Sequence, residues 1–239
     1  MHQVIKNLHD RLSAGKRTRI LAFGSSNTER YLTGMHWFDC FDIALNNQYG
    51  RLHTCINTGI GGDTVRNLLA RFKEDAEFYK PHLAFITIGG NDSTNAEKHV
   101  PPEEFKSSLH ELHRRFAEMD CEVVFQTYYA PDPDGMGDLT RFYQYADIVR
   151  DVAGETDALL IDHLARWEPF RQSHTDIYKG LMYNPFHVNR HGNKVMGVDI
   201  ARKFNVSLTE DQDPFWAESL KIQKRMDDVF RGSADRADK

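Results

Sequence analysis

The chain has 239 residues, and at ~150 residues per domain that is room for one α/β domain with an appendage. Hydrophobic residues make up 40% and charged residues 27%, a balance that excludes global disorder. Lys+Arg is 30 against Asp+Glu 35, so the net charge of -5 gives no electrostatic case for a nucleic-acid partner. The three cysteines, Cys40, Cys55 and Cys121, fit neither a disulfide framework nor a zinc motif and read as reduced thiols. The first ten residues are polar, without the apolar stretch of a signal peptide. No apolar run approaches the ~18 residues of a membrane span. The expectation is a cytoplasmic protein with no membrane partner and an unknown oligomeric state.

Val4, Ile5, Leu8 and Leu12 predict a helix over 3–14, stopped by Gly15. Apolar runs at 19–24, 53–59, 82–89, 122–129 and 158–162 predict five strands, the first three ending in Gly. Between them, helical patterns cover 64–79 and 139–154. A stronger one begins at Pro102-Glu103-Glu104 and continues through Phe105, Leu109, Leu112, Phe116 and Met119. A last helix spans 190–204, with Asn189 as its N-cap. Strands buried on both faces and separated by helices predict a three-layer α/β/α sandwich with about five parallel strands in flavodoxin-like order. Residues 1–205 read as the main domain. Residues 206–239 read as a helical extension, amphipathic from Phe215 to Phe230, followed by a frayed tail.

In an open parallel sheet, ligands bind beyond the C-terminal strand ends. The loops there are Gly24-Ser25-Ser26-Asn27-Thr28, Gly59-Ile60-Gly61-Gly62-Asp63-Thr64 and Gly89-Gly90-Asn91-Asp92. Asn184-Pro185-Phe186-His187-Val188-Asn189 follows the fifth strand. Together they offer a hydroxyl, glycine-bearing turns, an amide and an imidazole, the parts needed for nucleophilic acyl transfer.

Their order resembles the SGNH (GDSL) hydrolase family over residues 19 to about 204. Phe23-Gly24-Ser25-Ser26-Asn27-Thr28 stands for the family's Phe-Gly-Asp-Ser-x-Thr. Asn57-Thr58-Gly59-Ile60-Gly61-Gly62-Asp63-Thr64 stands for its second block, and Gly89-Gly90-Asn91-Asp92 for Gly-x-Asn-Asp. The segment from Asn184 to Asn189 stands for Asp-x-x-His-Pro-Asn. The resemblance implies Ser26 as nucleophile, His187 as general base, and the Ser26 N–H, Gly62 N–H and Asn91 amide as oxyanion donors. Asn27 and Asp63 are read as substrate-binding. No metal or organic cofactor is implied, and the partner is a small-molecule or carbohydrate ester.

Two positions depart from the family pattern. Ser25 replaces the Asp before the nucleophile, a turn support. Asn184 replaces the Asp three residues before the catalytic His, and three readings follow. A Ser–His dyad is oriented by Asn184 or a backbone carbonyl; another acid, Asp176 or Asp162, enters the site; or the protein is catalytically weak. The implied activity is hydrolysis of a short-chain, acetyl, ester through an acyl-enzyme on Ser26. A non-catalytic ligand-binding module and an acyltransferase are the alternatives. Gly59-Ile60-Gly61-Gly62 lacks the third glycine of a dinucleotide loop, since Thr64 stands there. His110 and His113 have no third metal ligand at a matching offset. His36 and Trp37, near Tyr31 and Met35, fit either a substrate wall or the core. His191 fits a helix cap or a support for the site.

Overall fold

The computed structural model describes residues 1–134, 136–206, 208 and 214–237. They group into two compact units. The first comprises Met1–Arg30, Arg51–Tyr128 and Gly137–Ile161; the second comprises Tyr31–Gly50, Tyr129–Met136 and Asp162–Lys239.

The first unit holds β1 (Thr18–Gly24), β2 (His53–Asn57), β3 (Leu83–Thr87), β4 (Glu122–Gln126) and β5 (Leu159–Ile161). All pair in parallel in the order β2-β1-β3-β4-β5, the flavodoxin-like order expected from the sequence. β1 starts one residue before its apolar run and ends with it, whereas the other four strands are shorter than theirs, because the last residues of each run turn off the sheet into a loop. Gly24, Asn57, Thr87 and Gln126 therefore end on one edge. Ile20, Leu21, Ala22 and Phe23 are all buried, so both faces of β1 are apolar and the sequence shows no alternation. On one face, Leu21, Phe23, Ala84, Ile86, Val123 and Phe125 pack with Leu109, Leu112 and Phe116 of α6 (Pro102–Ala117). Tyr145 and Val149 of α7 (Thr140–Glu155) join them. In α1 (Gln3–Ser13), the four apolar positions at helical spacing are the buried ones.

The continuous helix expected over 64–79 is instead broken into α3 (Val65–Ala70), α4 (Phe72–Asp75) and a 3-10 turn (Glu77–Tyr79). The break falls at Arg71, whose side chain is drawn back to the carbonyls of Gly24 and Thr58. Lys80 then takes a left-handed φ of 46° before Pro81, which cannot continue a helix.

The second unit holds α2 (Trp37–Tyr49), α8 (His163–Ser173), α9 (Thr175–Lys179), α10 (Arg190–Lys203) and α11 (Pro214–Ala237). It also has a short antiparallel ribbon, β6 (Met182–Asn184) and β7 (His187–Val188), which the sequence did not predict. Gly197 of α10 lies against α2 so closely that a Cβ there would fall 2.3 Å from Cys40 Cβ. In α11, Trp216, Ile222 and Met226 are buried, and Gln223 Nε2 donates to the Val195 carbonyl at 2.7 Å. Asp227 accepts from both Arg166 and Arg202 at 2.8 Å. The frayed tail expected after Phe230 is helical to Ala237, and residues 238 and 239 lie outside the described residues. Cys40, Cys55 and Cys121 are free thiols. Among the described residues no helix is long and apolar enough to cross a membrane.

Candidate active site

After β1 the chain turns at once, with the N–H groups of Thr28 and Glu29 both donating to the Ser25 carbonyl at 2.9 Å. The turn places Ser26 and Asn27, each half-buried, at the C-terminal edge of the sheet. Ser25 is fully buried, and its Oγ is hydrogen-bonded to Tyr128 Oη at 2.8 Å. Tyr128, just beyond β4, is also hydrogen-bonded to the backbone of Gly90, and burial pushes its phenol up to about 12. A neutral tyrosine thus ties the nucleophile turn to the loop after β3. The departure at Ser25 has a built partner.

Asn57, the last residue of β2, fastens the second loop to the first. Its Nδ2 donates to the Thr28 carbonyl at 2.7 Å, and its Oδ1 accepts from Gly59 N at 2.9 Å. Gly59 is required because a Cβ there would fall 2.4 Å from the Glu29 nitrogen. Gly62 has φ +82°, which glycine adopts without strain, and its carbonyl accepts from Lys98 Nζ at 2.7 Å. Asn91 lies in α5 (Gly90–Thr94) and donates through Nδ2 to the Asp63 carbonyl at 2.9 Å. An amide carries two N–H donors, so one fixes the loop and a second remains on the same nitrogen.

Asp63, read from the sequence as substrate-binding, is occupied otherwise. Its carboxylate pairs with Arg71 at 2.7 Å, with both side chains largely buried. Arg71 also donates to the carbonyls of Thr58 (2.7 Å) and Gly24 (3.1 Å), and its guanidinium lies over the Phe23 ring. A buried charge needs its partner, so this carboxylate is part of the frame rather than a ligand for substrate. Asp92, fully buried, accepts from Val65 N at 2.8 Å, and burial pushes its carboxyl up to about 6. Arg71 and Tyr128 escaped the sequence reading, and Asp92 was named only as part of its block. A lone basic, aromatic or acidic residue carries no local pattern that marks it as a brace.

In the second unit, the β6–β7 ribbon sets Asn184 opposite His187. Asn184 Oδ1 accepts from Phe186 N and His187 N, each at 2.9 Å, and lies 2.9 Å from His187 Nδ1. A carbonyl oxygen only accepts, so Nδ1 carries the ring proton and Nε2 keeps its lone pair, the tautomer a general base requires. Burial lowers the His187 pKa. The Tyr31 ring stands edge-on to the imidazole at 6.1 Å. Tyr129 Oη clamps the ribbon, donating to the Phe186 carbonyl at 2.7 Å and accepting from Val188 N at 2.8 Å. Asn189 caps α10, with its Oδ1 accepting from His191 N and Gly192 N.

Of the acids weighed for the triad, Asp162 caps α8 through Ala165 N at 3.1 Å and Asp176 lies in the first turn of α9. The residue on Nδ1 is Asn184. His36 and Trp37 belong to the core: both are buried, and His36 caps α2. His110 is bonded to Glu155 at 2.9 Å.

Residues 22–195 match the GDSL-like Lipase/Acylhydrolase family. The chain belongs to this family. The GDSL-like chain is 31% identical to the acetylxylan esterase of Geobacillus stearothermophilus over 115 residues, 45% of this chain and 52% of that one. The aligned part thus spans about half of that relative's length. A crystal structure of that esterase superposes with TM-score 0.71 at 23% identity, covering 81% of this chain and 96% of the other. An α/β hydrolase from the metagenome of Lake Arreo, Spain, superposes with TM-score 0.70 at 24% identity, covering 81% and 98%. At those identities the superpositions establish the shared SGNH fold.

Proposed function

We propose that this GDSL-like hydrolase removes acetyl groups from a carbohydrate through an acyl-enzyme on Ser26. The observation that carries the reading is the Asn184–His187 pair, which fixes the imidazole in the tautomer of a base without a carboxylate. Ser26 Oγ attacks the acetyl carbonyl and its proton passes to His187 Nε2. The oxyanion takes hydrogen bonds from the N–H groups of Ser26 and Gly62 and from the second Asn91 N–H. Collapse expels the sugar alcohol, which receives its proton from His187. Water, deprotonated by the same imidazole, then releases acetate. The acetyl and carbohydrate assignment draws support from the acetylxylan esterase likeness.

The test is acetate release from an acetylated xylo-oligosaccharide, together with labelling by a serine-directed phosphonate. The native protein should release acetate and be labelled once, and Ser26→Ala should lose both, leaving at most a residual from binding and the oxyanion hole. Sugar binding without acetate release would make the chain a ligand-binding module. Loss of labelling in Ser25→Ala but not in Ser26→Ala would move the nucleophile by one residue.

A further inference from the structure

The second unit carries a depression of about 400 Å³ lined by Leu32, Thr33, Tyr183, Asn189, Arg190 and His191. That volume falls within the ~300–1,000 Å³ of small-molecule sites. We infer that this depression binds the sugar on the alcohol side of the scissile ester. The inference rests on the proposed esterase reading and names the part of the site that recognises the leaving group.

The mechanism supplies the direction. The departing alcohol takes its proton from His187, so the leaving group must lie beside that imidazole, on the surface of the second unit. One aromatic ring stands against His187 there, and a second sits on the strand paired with it. Tyr31 stands edge-on to it, and Tyr183 directly precedes its partner Asn184 on β6. Tyr31 is 47% exposed and Tyr183 62%, so both rings face solvent. Such rings suit the C–H faces of a pyranose, while their hydroxyls and neighbouring donors suit its O–H groups.

The polar wall is prepared in the same way. Asn189 is committed to shaping it: besides capping α10, its Nδ2 donates to the carbonyls of Gly180 and Met182. Arg190 is available for contact. Its Nε donates to His191 Nε2 at 3.3 Å, and its terminal N–H groups are those a sugar hydroxyl would meet. Gly34 lets the chain lie against it, since a Cβ at 34 would fall 2.8 Å from Arg190 Cβ and φ there is +109°. The guanidinium stem is therefore backed by main chain. An aromatic ring and a multidentate donor lining one depression recognise a polyhydroxylated alcohol rather than a lipid chain.

Two substrates separate this subsite from the chemistry: an acetylated xylo-oligosaccharide, and vinyl acetate, whose leaving group is too small to reach the depression. In Tyr183→Ala, kcat/KM for the oligosaccharide should fall ~10-fold, through KM, while the values for vinyl acetate stay unchanged. Arg190→Ala should behave alike. Retained vinyl acetate hydrolysis also reports that each variant is folded. Equal losses on both substrates would show that Tyr183 supports His187 rather than the sugar, and no loss on either would show that the depression is idle; each overturns the subsite while leaving the esterase reading intact. Hydrolysis of vinyl acetate but not of the oligosaccharide by the native protein would overturn the carbohydrate assignment and the subsite with it.

Discussion

In the proposed mechanism His187 works with an amide where the family block has a carboxylate. An amide orients the ring but offers no full charge to the imidazolium that forms during catalysis. Two effects follow on the pH profile. Burial already lowers the His187 pKa, and the base must be neutral, so kcat/KM should rise with pH through a value below the ordinary 6.5 and stay flat above it. Asn184→Asp should raise the imidazole pKa and carry the acidic limb to higher pH. Asn184→Ala should keep the native limb but lose rate, by well under the ~10⁴-fold that follows loss of a working triad acid. A pH–rate series on the three proteins decides it. An unmoved limb in Asn184→Asp would show that the new carboxylate does not face the ring. Outright inactivity of Asn184→Ala would mean that tautomer and orientation outweigh charge.

Loops at the C-terminal ends of the strands are braced to one another by side chains from elsewhere in the first unit. Tyr128 spans the turn after β1 and α5 after β3, so it holds the proposed nucleophile and a proposed oxyanion donor in a common frame. Tyr128→Phe keeps the packing and removes the hydroxyl. It should lower kcat by ~10-fold with KM nearly unchanged, because misplacement acts on the transition state more than on the ground state. Ser25→Ala added to it should cost little more, since the two share one bond. Full additivity in a double-mutant cycle would remove the coupling. The elements themselves were largely legible: apolar runs of the right length give the five strands, and Pro102 with two acids gives the start of α6. The break at Arg71 was not, because it is set by carbonyls that are 47 and 13 residues away in sequence. The segments that carry Ser26, Asn91 and His187 stand out in the sequence because each is a contiguous block. The ion pair of Asp63 was not read, because Arg71 lies eight residues on, outside the block.

At the scale of the whole molecule, Asp92 sets a pH term in stability. Its carboxyl is pushed up to about 6 from an ordinary 3.8, so the folded protein holds this proton more tightly than the unfolded chain. The contribution is complete below pH 3.8 and is lost as pH rises through about 6. Ionisation removes about 3 kcal/mol. Asp92→Asn keeps an acceptor for the Val65 N–H and has no charge to bury. Urea unfolding at pH 4 and pH 7.5 should show native stability falling relative to the variant by up to that amount. Parallel curves for the two proteins would mean that water reaches the carboxylate.

The residue after Asn184 is Pro185. Asparagine ages to aspartate chiefly when the next backbone nitrogen attacks the side-chain carbonyl and closes a succinimide. Proline has no N–H to give up, so this ring cannot form in the usual way. Asn184 Oδ1 also holds the two N–H groups that follow Pro185, which keeps the amide facing its own loop. The main spontaneous route that would turn this amide into the family's acid is closed off by its neighbour, and stored protein should keep the mass of an asparagine at this position.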